Sequence, residues 1–327
     1  TDCAEAGDLV ATTKLSASTG DTLCANSRVV NLPRASFPKF CYSMAVRPAA
    51  RGDEAKVAGA IQKLLEEDQT LSYEQNPLTK EMMLSGLGEQ HLAAVVSQLK
   101  NDFGVEVVLS VPKIAYRETI RKKVKVQGRH KKQSGGHGQY GDVWIEFEPY
   151  PSDELVFEEK VFGGAVPKNF FPAVEKGLQE SVAKGVLAGF PVVGVKAILV
   201  DGSYHPVDSS EMAFKTAASI AYKEGMKQAE PTLLEPIGSL EVSIPDDNTG
   251  DIMGDLNKRR GRVLGMNPSD EDGMTTILAE VPLREMADFA MQLRQMTQGE
   301  GVFTLTPVRY EQLPANLMTE VIAAASE

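Results

Sequence analysis

Few residues of this chain have the types and spacing that catalysis demands. Its four histidines, His91, His130, His137 and His205, sit in no metal-ligand spacing. Cys3, Cys24 and Cys41 are odd in number and form no CxxC, so they read as small apolar side chains of a reducing, cytoplasmic protein. No GxSxG and no Ser-His-Asp ordering supports hydrolysis. Asp208-Ser209-Ser210-Glu211 sets acids beside hydroxyls, but a helix N-cap at Asp208 with Glu211 completing a capping box explains it more simply. Gly-Lys occurs nowhere, so the phosphate loop GxxxxGK(S/T) is absent from the chain. Gly136-His137-Gly138-Gln139-Tyr140-Gly141 satisfies GxGxxG, yet a basic tract precedes it and the alternating VWIEFE follows. A dinucleotide site needs a strand before and a helix after. Two readings stay open for that loop: a Gly-rich hairpin tip, or a tip that contacts nucleic acid.

The residues that remain are cationic. Arg121, Lys122, Lys123, Lys125, Arg129, Lys131 and Lys132 fall in one stretch without a carboxylate, in a chain of net charge −11. A local cationic field on an acidic body attracts phosphate and orients it. The stretch runs into Gln133, Ser134, Gly135, Gly136, His137, Gly138 and Gln139, a polar glycine-rich loop able to approach a nucleic-acid backbone. Tyr204, His205 and Asp208 lie in a second turn of similar make-up, and the two turns are expected side by side at one end of a domain. Rings at 204 and 205 offer stacking faces; Gln133, Ser134 and Gln139 offer hydrogen bonds. A solvated turn is the plainer reading of His137 and His205. Lys258, Arg259, Arg260 and Arg262 make a second cluster at a helix C-terminus, more than a cap requires, and read as a phosphate contact.

The elements that would carry these residues are legible in periodicity. At 327 residues, roughly two domains are expected, and 42% apolar content is enough for globular cores. FCYSMAVRP (40–48), a helix from Asp53 to Glu67, short strands at 71–75 and 81–85, a helix from Gly88 to Asp102 and VEVVL (105–109) follow the order β-α-β-β-α-β. SLEVSIP (239–245), a helix 249–260, strands 262–266 and 275–281, a helix 283–298 and VFTLTPV (302–308) repeat it. Both match the ferredoxin-like pattern. Between them lie alternating segments at 119–126, 141–148 and 155–162, a helix 167–184, the strand VVGVKAILV (192–200) and a long helix after Asp208. AGDLV and TGDTL near the N-terminus read as two strand pieces. Pro-containing stretches at 111–115 and 232–238 read as stiff linkers. A C-terminal helix is expected from Pro314 to Ala325, docking through Leu317, Val321 and Ile322.

The strings LSGLGEQHL (84–92), PKIAYRETI (112–120), KQSGGHGQYG (132–141), AGFPVVGV (188–195), DGSYHPVDSSEMAFK (201–215), LLEPI (233–237), NTGDIMGDLNKRRG (248–261) and EVPLREMADFAMQLRQMTQG (280–299) together resemble elongation factor G, the ribosomal translocase. The likeness runs from about Ala6 to Ala325. It implies an α+β multidomain fold: the end of a domain II β-barrel over 1–36, ferredoxin-like domain III over 37–113, a ribosomal protein S5 domain 2-like domain IV over 114–233, ferredoxin-like domain V over 234–308, and a C-terminal helix over 309–327 packing towards domain IV. It also implies a ribosome-binding, non-catalytic half of a GTPase. GTP and Mg2+ would belong to an amino-terminal domain outside this chain. Domain IV's tip, matched here by Gln133–Gln139 and Tyr204–Asp208, would enter the decoding A site on the small ribosomal subunit during tRNA–mRNA translocation. Domain V would contact large-subunit rRNA, and the protein would act as a cytoplasmic monomer without a membrane. Ribosome recycling or ribosome protection is the alternative within the same GTPase superfamily. Most translocases carry Arg where this chain has His137, and an acidic residue where it has Pro206; the pattern resembles the paralogous second elongation factor G of some bacteria.

Overall fold

The computed structural model describes residues 3–15, 17–38, 40–133, 138–268 and 273–325. Three β-sheets organise the chain from Tyr42 onwards.

The first sheet holds β1 (Tyr42–Pro48), β2 (Ser72–Gln75), β3 (Met82–Gly86) and β4 (Val107–Ser110) in the order β2-β3-β1-β4. Helices α1 (Glu54–Glu67) and α2 (Glu89–Phe103) bury Val57, Ile61 and Leu64, and Leu92, Val95 and Leu99, against it. Those positions recur at the helical period, so one stripe is apolar and the rest faces water. Asp53 does not cap α1 with its carboxylate as expected; Oδ1 instead pairs with Lys56 Nζ at 2.9 Å. The same order, β11-β12-β10-β13, returns near the C-terminus, with β10 (Pro231–Pro245), β11 (Arg262–Pro268), β12 (Met274–Pro282) and β13 (Val302–Gln312) carrying α5 (Thr249–Lys258) and α6 (Phe289–Met296). Both ferredoxin-like units are therefore present.

The middle unit differs. Its sheet runs β6-β7-β9-β8 with β6 (Val124–Lys132), β7 (Gln139–Pro149), β8 (Val156–Glu159) and β9 (Val195–Ser203). Only the β8–β9 pair is parallel. Helices α3 (Phe171–Val182) and α4 (Glu211–Gln228) cover one face. Phe147 meets Tyr222 edge-on, ring centroids 6.4 Å apart, and Phe170 stacks on Phe214 at 4.5 Å. A Cβ on Gly128 would lie 2.1 Å from the Ala217 carbonyl oxygen, and one on Gly141 2.5 Å from that of Ala213. Glycine at these two positions lets α4 lie directly on the β6–β7 hairpin.

Three expectations need correction. The segment 119–126 is two strands, because β5 (Arg117–Ile120) leaves the middle sheet and pairs with β10 from Pro231↔Ile120 to Leu234↔Arg117. The stretch 232–238 is no linker: β10 runs unbroken through it, its polar groups laddered to β5 on one part and to β12 and β13 on the other. Buried Glu118 reinforces the joint by accepting backbone N–H groups from Leu187, Ala188 and Phe190 at 2.9–3.2 Å. Finally, among the described residues of 3–38 there is no strand, so AGDLV and TGDTL are turn and extended chain. A strand needs a neighbour to satisfy its ladder, and this stretch finds none; Leu9, Val10, Leu23 and Leu32 stay exposed.

Helix α7 (Ala315–Ala325) docks as read, with Leu317, Val321 and Ile322 against Tyr116, Leu187, Phe190 and Leu233.

Candidate nucleic-acid interface

Register decides where the two turns sit. The β6–β7 hairpin pairs Lys132 with Gln139, and β7 pairs Asp142 with Ser203 on β9. The hairpin connection and the β9–α4 connection must then emerge at the same end of the sheet. Ser134, Gly135, Gly136 and His137 lie outside the described residues; Gln133, Gly138 and Gln139 bracket them.

The second turn is stitched to the first. Asp208 Oδ1 accepts the Gly138 N–H at 3.0 Å, and the Asp208 carbonyl accepts the Tyr140 N–H at 2.9 Å. Ser209 Oγ donates to the Tyr140 carbonyl at 3.0 Å and accepts the His205 N–H at 2.8 Å. His205 Nδ1 accepts the N–H of Asp208 at 3.1 Å and of Val207 at 3.3 Å, a pattern that suits the tautomer with its proton on Nε2. Its ring lies 6.4 Å from that of Tyr140. Gln139 is held by His130 Nε2 at 2.9 Å. Tyr204 and Val207 are 48% and 63% exposed, so the stitching orders the backbone while leaving ring and alkyl surface free to bind.

Asp208 does not cap α4. The cap is Ser210, whose side chain accepts the Ala213 N–H at 3.2 Å, and Glu211 lies in the first turn, where the helix dipole favours its charge. Asp208 is displaced from the cap because its carboxylate serves Gly138.

The basic tract divides. Lys122 is paired with Glu230, and Arg121 lies 3.9 Å from it. Lys123 bridges Glu146 at 2.9 Å and Glu148 at 3.1 Å; hydrogen bonds to those carboxylates raise its pKa, and that of Glu148 is lowered chiefly by Lys123. Lys125, Arg129, Lys131 and Lys132 form no ion pair with a carboxylate among the described residues. Cationic potential is therefore left unspent only on the half nearer the tip.

The second cluster is not the surface patch expected. Arg259 is 8% exposed: Nε donates to Asp255 at 2.7 Å, Nη1 to Asp288 at 2.6 Å and to the Glu285 carbonyl, and the guanidinium lies over the Phe289 ring. Arg260 forms a two-pronged bridge to buried Glu235 at 2.9 and 2.6 Å, with Nε 3.3 Å from Glu285. Both guanidinium pKa values are raised. For Arg259, burial pulls downward but the bonds to Asp288 and Asp255 outweigh it; for Arg260, Glu235 dominates. Both guanidinium groups are engaged by carboxylates inside domain V, and Arg260 Nε is buried there without a hydrogen bond, so neither side chain is presented as a free phosphate contact. Lys258 and Arg262 remain exposed.

Sequence comparison agrees with this layout. The chain matches the models of elongation factor G domain III over residues 37–111, elongation factor G domain IV over 112–230 and the elongation factor G C-terminus over 232–321. The chain belongs to the elongation factor G family. It is 46% identical over 318 residues to an elongation factor G-like protein of Thermotoga maritima, covering 97% of this chain and 46% of that protein. A crystal structure from Thermus thermophilus is also 46% identical, superposing with a TM-score of 0.79 over 90% of this chain and 44% of that one. The chain thus spans about half the length of these relatives. Ser209 and Tyr140, the stitching residues, were not singled out by sequence reading; the alternation of β7 and the Ser-Ser pair before α4 are the only signals they leave.

Proposed function

We propose that this chain is the ribosome-facing half of an elongation factor G-like GTPase, acting in the cytoplasm as a monomer. Its domain IV tip enters the decoding A site on the small ribosomal subunit and holds the tRNA–mRNA complex after it has moved. The observation that carries this reading is the tip itself: two connections from different strands, joined through Asp208 and Ser209 at one end of the sheet, beside cations that form no ion pair among the described residues. Preorganisation of that kind lowers the ordering cost of contact with a shaped RNA partner. Lys131 and Lys132 draw phosphate towards the tip, and Lys258 and Arg262 add a contact on domain V.

The nucleotide and its magnesium ion belong to a domain outside this chain. Gln139, which follows the Gly-rich run in sequence, opens the strand β7 and not a helix, unlike a dinucleotide-binding loop, which leads into a helix N-terminus. The chemistry of hydrolysis is therefore not carried by these residues; binding and positioning are.

Toe-printing with the full-length protein tests the reading. The expected result is an mRNA advance of one codon, with His205→Ala slowing that advance more than it slows GTP hydrolysis. Subunit splitting without mRNA movement would instead identify a recycling factor. Equal loss of movement and hydrolysis would remove the tip's specific role.

A further inference from the structure

Strand alternation places Lys125, Gln127, Arg129 and Lys131 on the face of β6 turned away from α4, and all four are exposed. Opposite them on β7 stand Glu146, Trp144, Asp142 and Tyr140. The two rings are matched to two cations: Lys125 Nζ is 5.8 Å from the Trp144 ring centroid, and the Arg129 guanidinium carbon is 5.7 Å from that of Tyr140. The acids of this face are occupied. Asp142 accepts from Gln127 Nε2 at 2.8 Å and Ser203 Oγ at 2.7 Å, Glu146 is bound by Lys123, and Asp201 accepts the Gly202 N–H. Further from the tip the same face is charge-balanced, with Lys196 between Glu148 and Glu158. Tyr140 also neighbours His205, so the face is continuous with the tip.

We propose that this outer face of the β6–β7 hairpin is a second RNA-binding surface, taking a short run of unpaired nucleotides. Phosphates lie along Lys125, Arg129 and Lys131, a span of about 20 Å at roughly 3.4 Å per residue. Bases stack on Trp144, Tyr140 and the guanidinium plane of Arg129. Aromatic rings alternating with cations on an open sheet are what sequence-tolerant recognition of single strands requires. The proposal rests on the reading above only in choosing RNA over another polyanion.

Trp144 is the chain's single tryptophan, so its emission reports on this face alone. The chain is titrated with a single-stranded oligoribonucleotide of about eight residues, within the site sizes such surfaces span. The expected result is a saturable change in Trp144 emission, with affinity falling steeply as salt rises. The exposed double variant Lys125→Gln/Arg129→Gln binds about tenfold more weakly, and its log–log salt slope falls by about 1.4 for two lost phosphate contacts. Unchanged circular dichroism confirms its fold. Lys176→Gln, an exposed charge removed from α3 on the other side of the sheet, binds the oligonucleotide within about twofold of the parent. Silent emission at saturation, no binding at about 0.1 mM RNA, equal affinity of the double variant, or equal affinity for a duplex of the same length each overturns the proposal.

Discussion

Two cationic clusters that look alike in sequence meet opposite ends in the fold. The stretch from Lys125 to Lys132 lies on an edge strand with an exposed outer face, and its cations form no ion pair with a carboxylate among the described residues. Arg259 and Arg260 follow α5, where the chain turns back into domain V, and their guanidinium groups are ion-paired with Asp255, Asp288, Glu235 and Glu285. Charge density does not separate the two. What separates them is the supply of acids on neighbouring elements: Glu235 reaches Arg260 from β10, and Asp288 reaches Arg259 from the turn before α6. The first cluster is free to bind a partner; the second binds its own domain.

The comparison is broken most severely by removing Arg259. Arg259→Met leaves Asp255 and Asp288 facing each other without a cation, and loss of one member of a buried ionic group typically destabilises by about 3 to 5 kcal/mol. Urea denaturation should show this loss, whereas Lys131→Met should stay within about 0.5 kcal/mol of the parent. Similar stability of the two variants would mean that the clusters are equivalent after all.

Asp208→Ala acts at the tip. It deprives the Gly138 N–H of its acceptor, at a net loss of about 1.5 to 3 kcal/mol for a hydrogen bond to a charged group. Since that bond joins two connections, the effect should be local. Amide exchange at Gly138 and Tyr140 should accelerate while exchange at Ile145 and Leu199 in the buried sheet stays unchanged. Uniform acceleration would show that Asp208 supports the whole domain.

Much of this was legible in the sequence, and the failures share a cause. Both ferredoxin-like units follow from local periodicity at Ile61, Leu64, Leu92 and Leu99 and from their counterparts Ile252, Leu256, Phe289 and Leu293. The side-by-side tip turns were also readable, because a hairpin and its neighbouring strand put their connections together. Misread features depended on partners distant in the chain. Glu118 and β5 turn away to meet β10 across more than a hundred residues, which no local pattern encodes. Asp208 has the residue type of an N-cap, yet Gly138 claims it. Arg259 and Arg260 look like surface cations until Glu235, Glu285 and Asp288 arrive.

Acid sharpens the same contrast on a smaller scale. The Arg259 guanidinium beside Asp288 holds its carboxyl below the usual aspartate range. A carboxylate with a depressed folded-state pKa contributes stability above its unfolded value, about 3.9, and loses it as pH falls through the folded value. The Asp288 side chain is 48% exposed, so solvent screening limits that contribution to a few tenths of a kcal/mol, about the value of a surface pair. Parent and Asp288→Asn should therefore differ slightly at neutral pH in urea midpoint. The gap should close as pH falls below about 4, since both then carry a neutral group there. The free cluster offers no counterpart, because among the described residues Lys125 and Arg129 have no ion-paired carboxylate whose protonation could release them. A gap at Asp288 that widens with acid would reverse the sign and show that Arg259 is held mainly by Asp255.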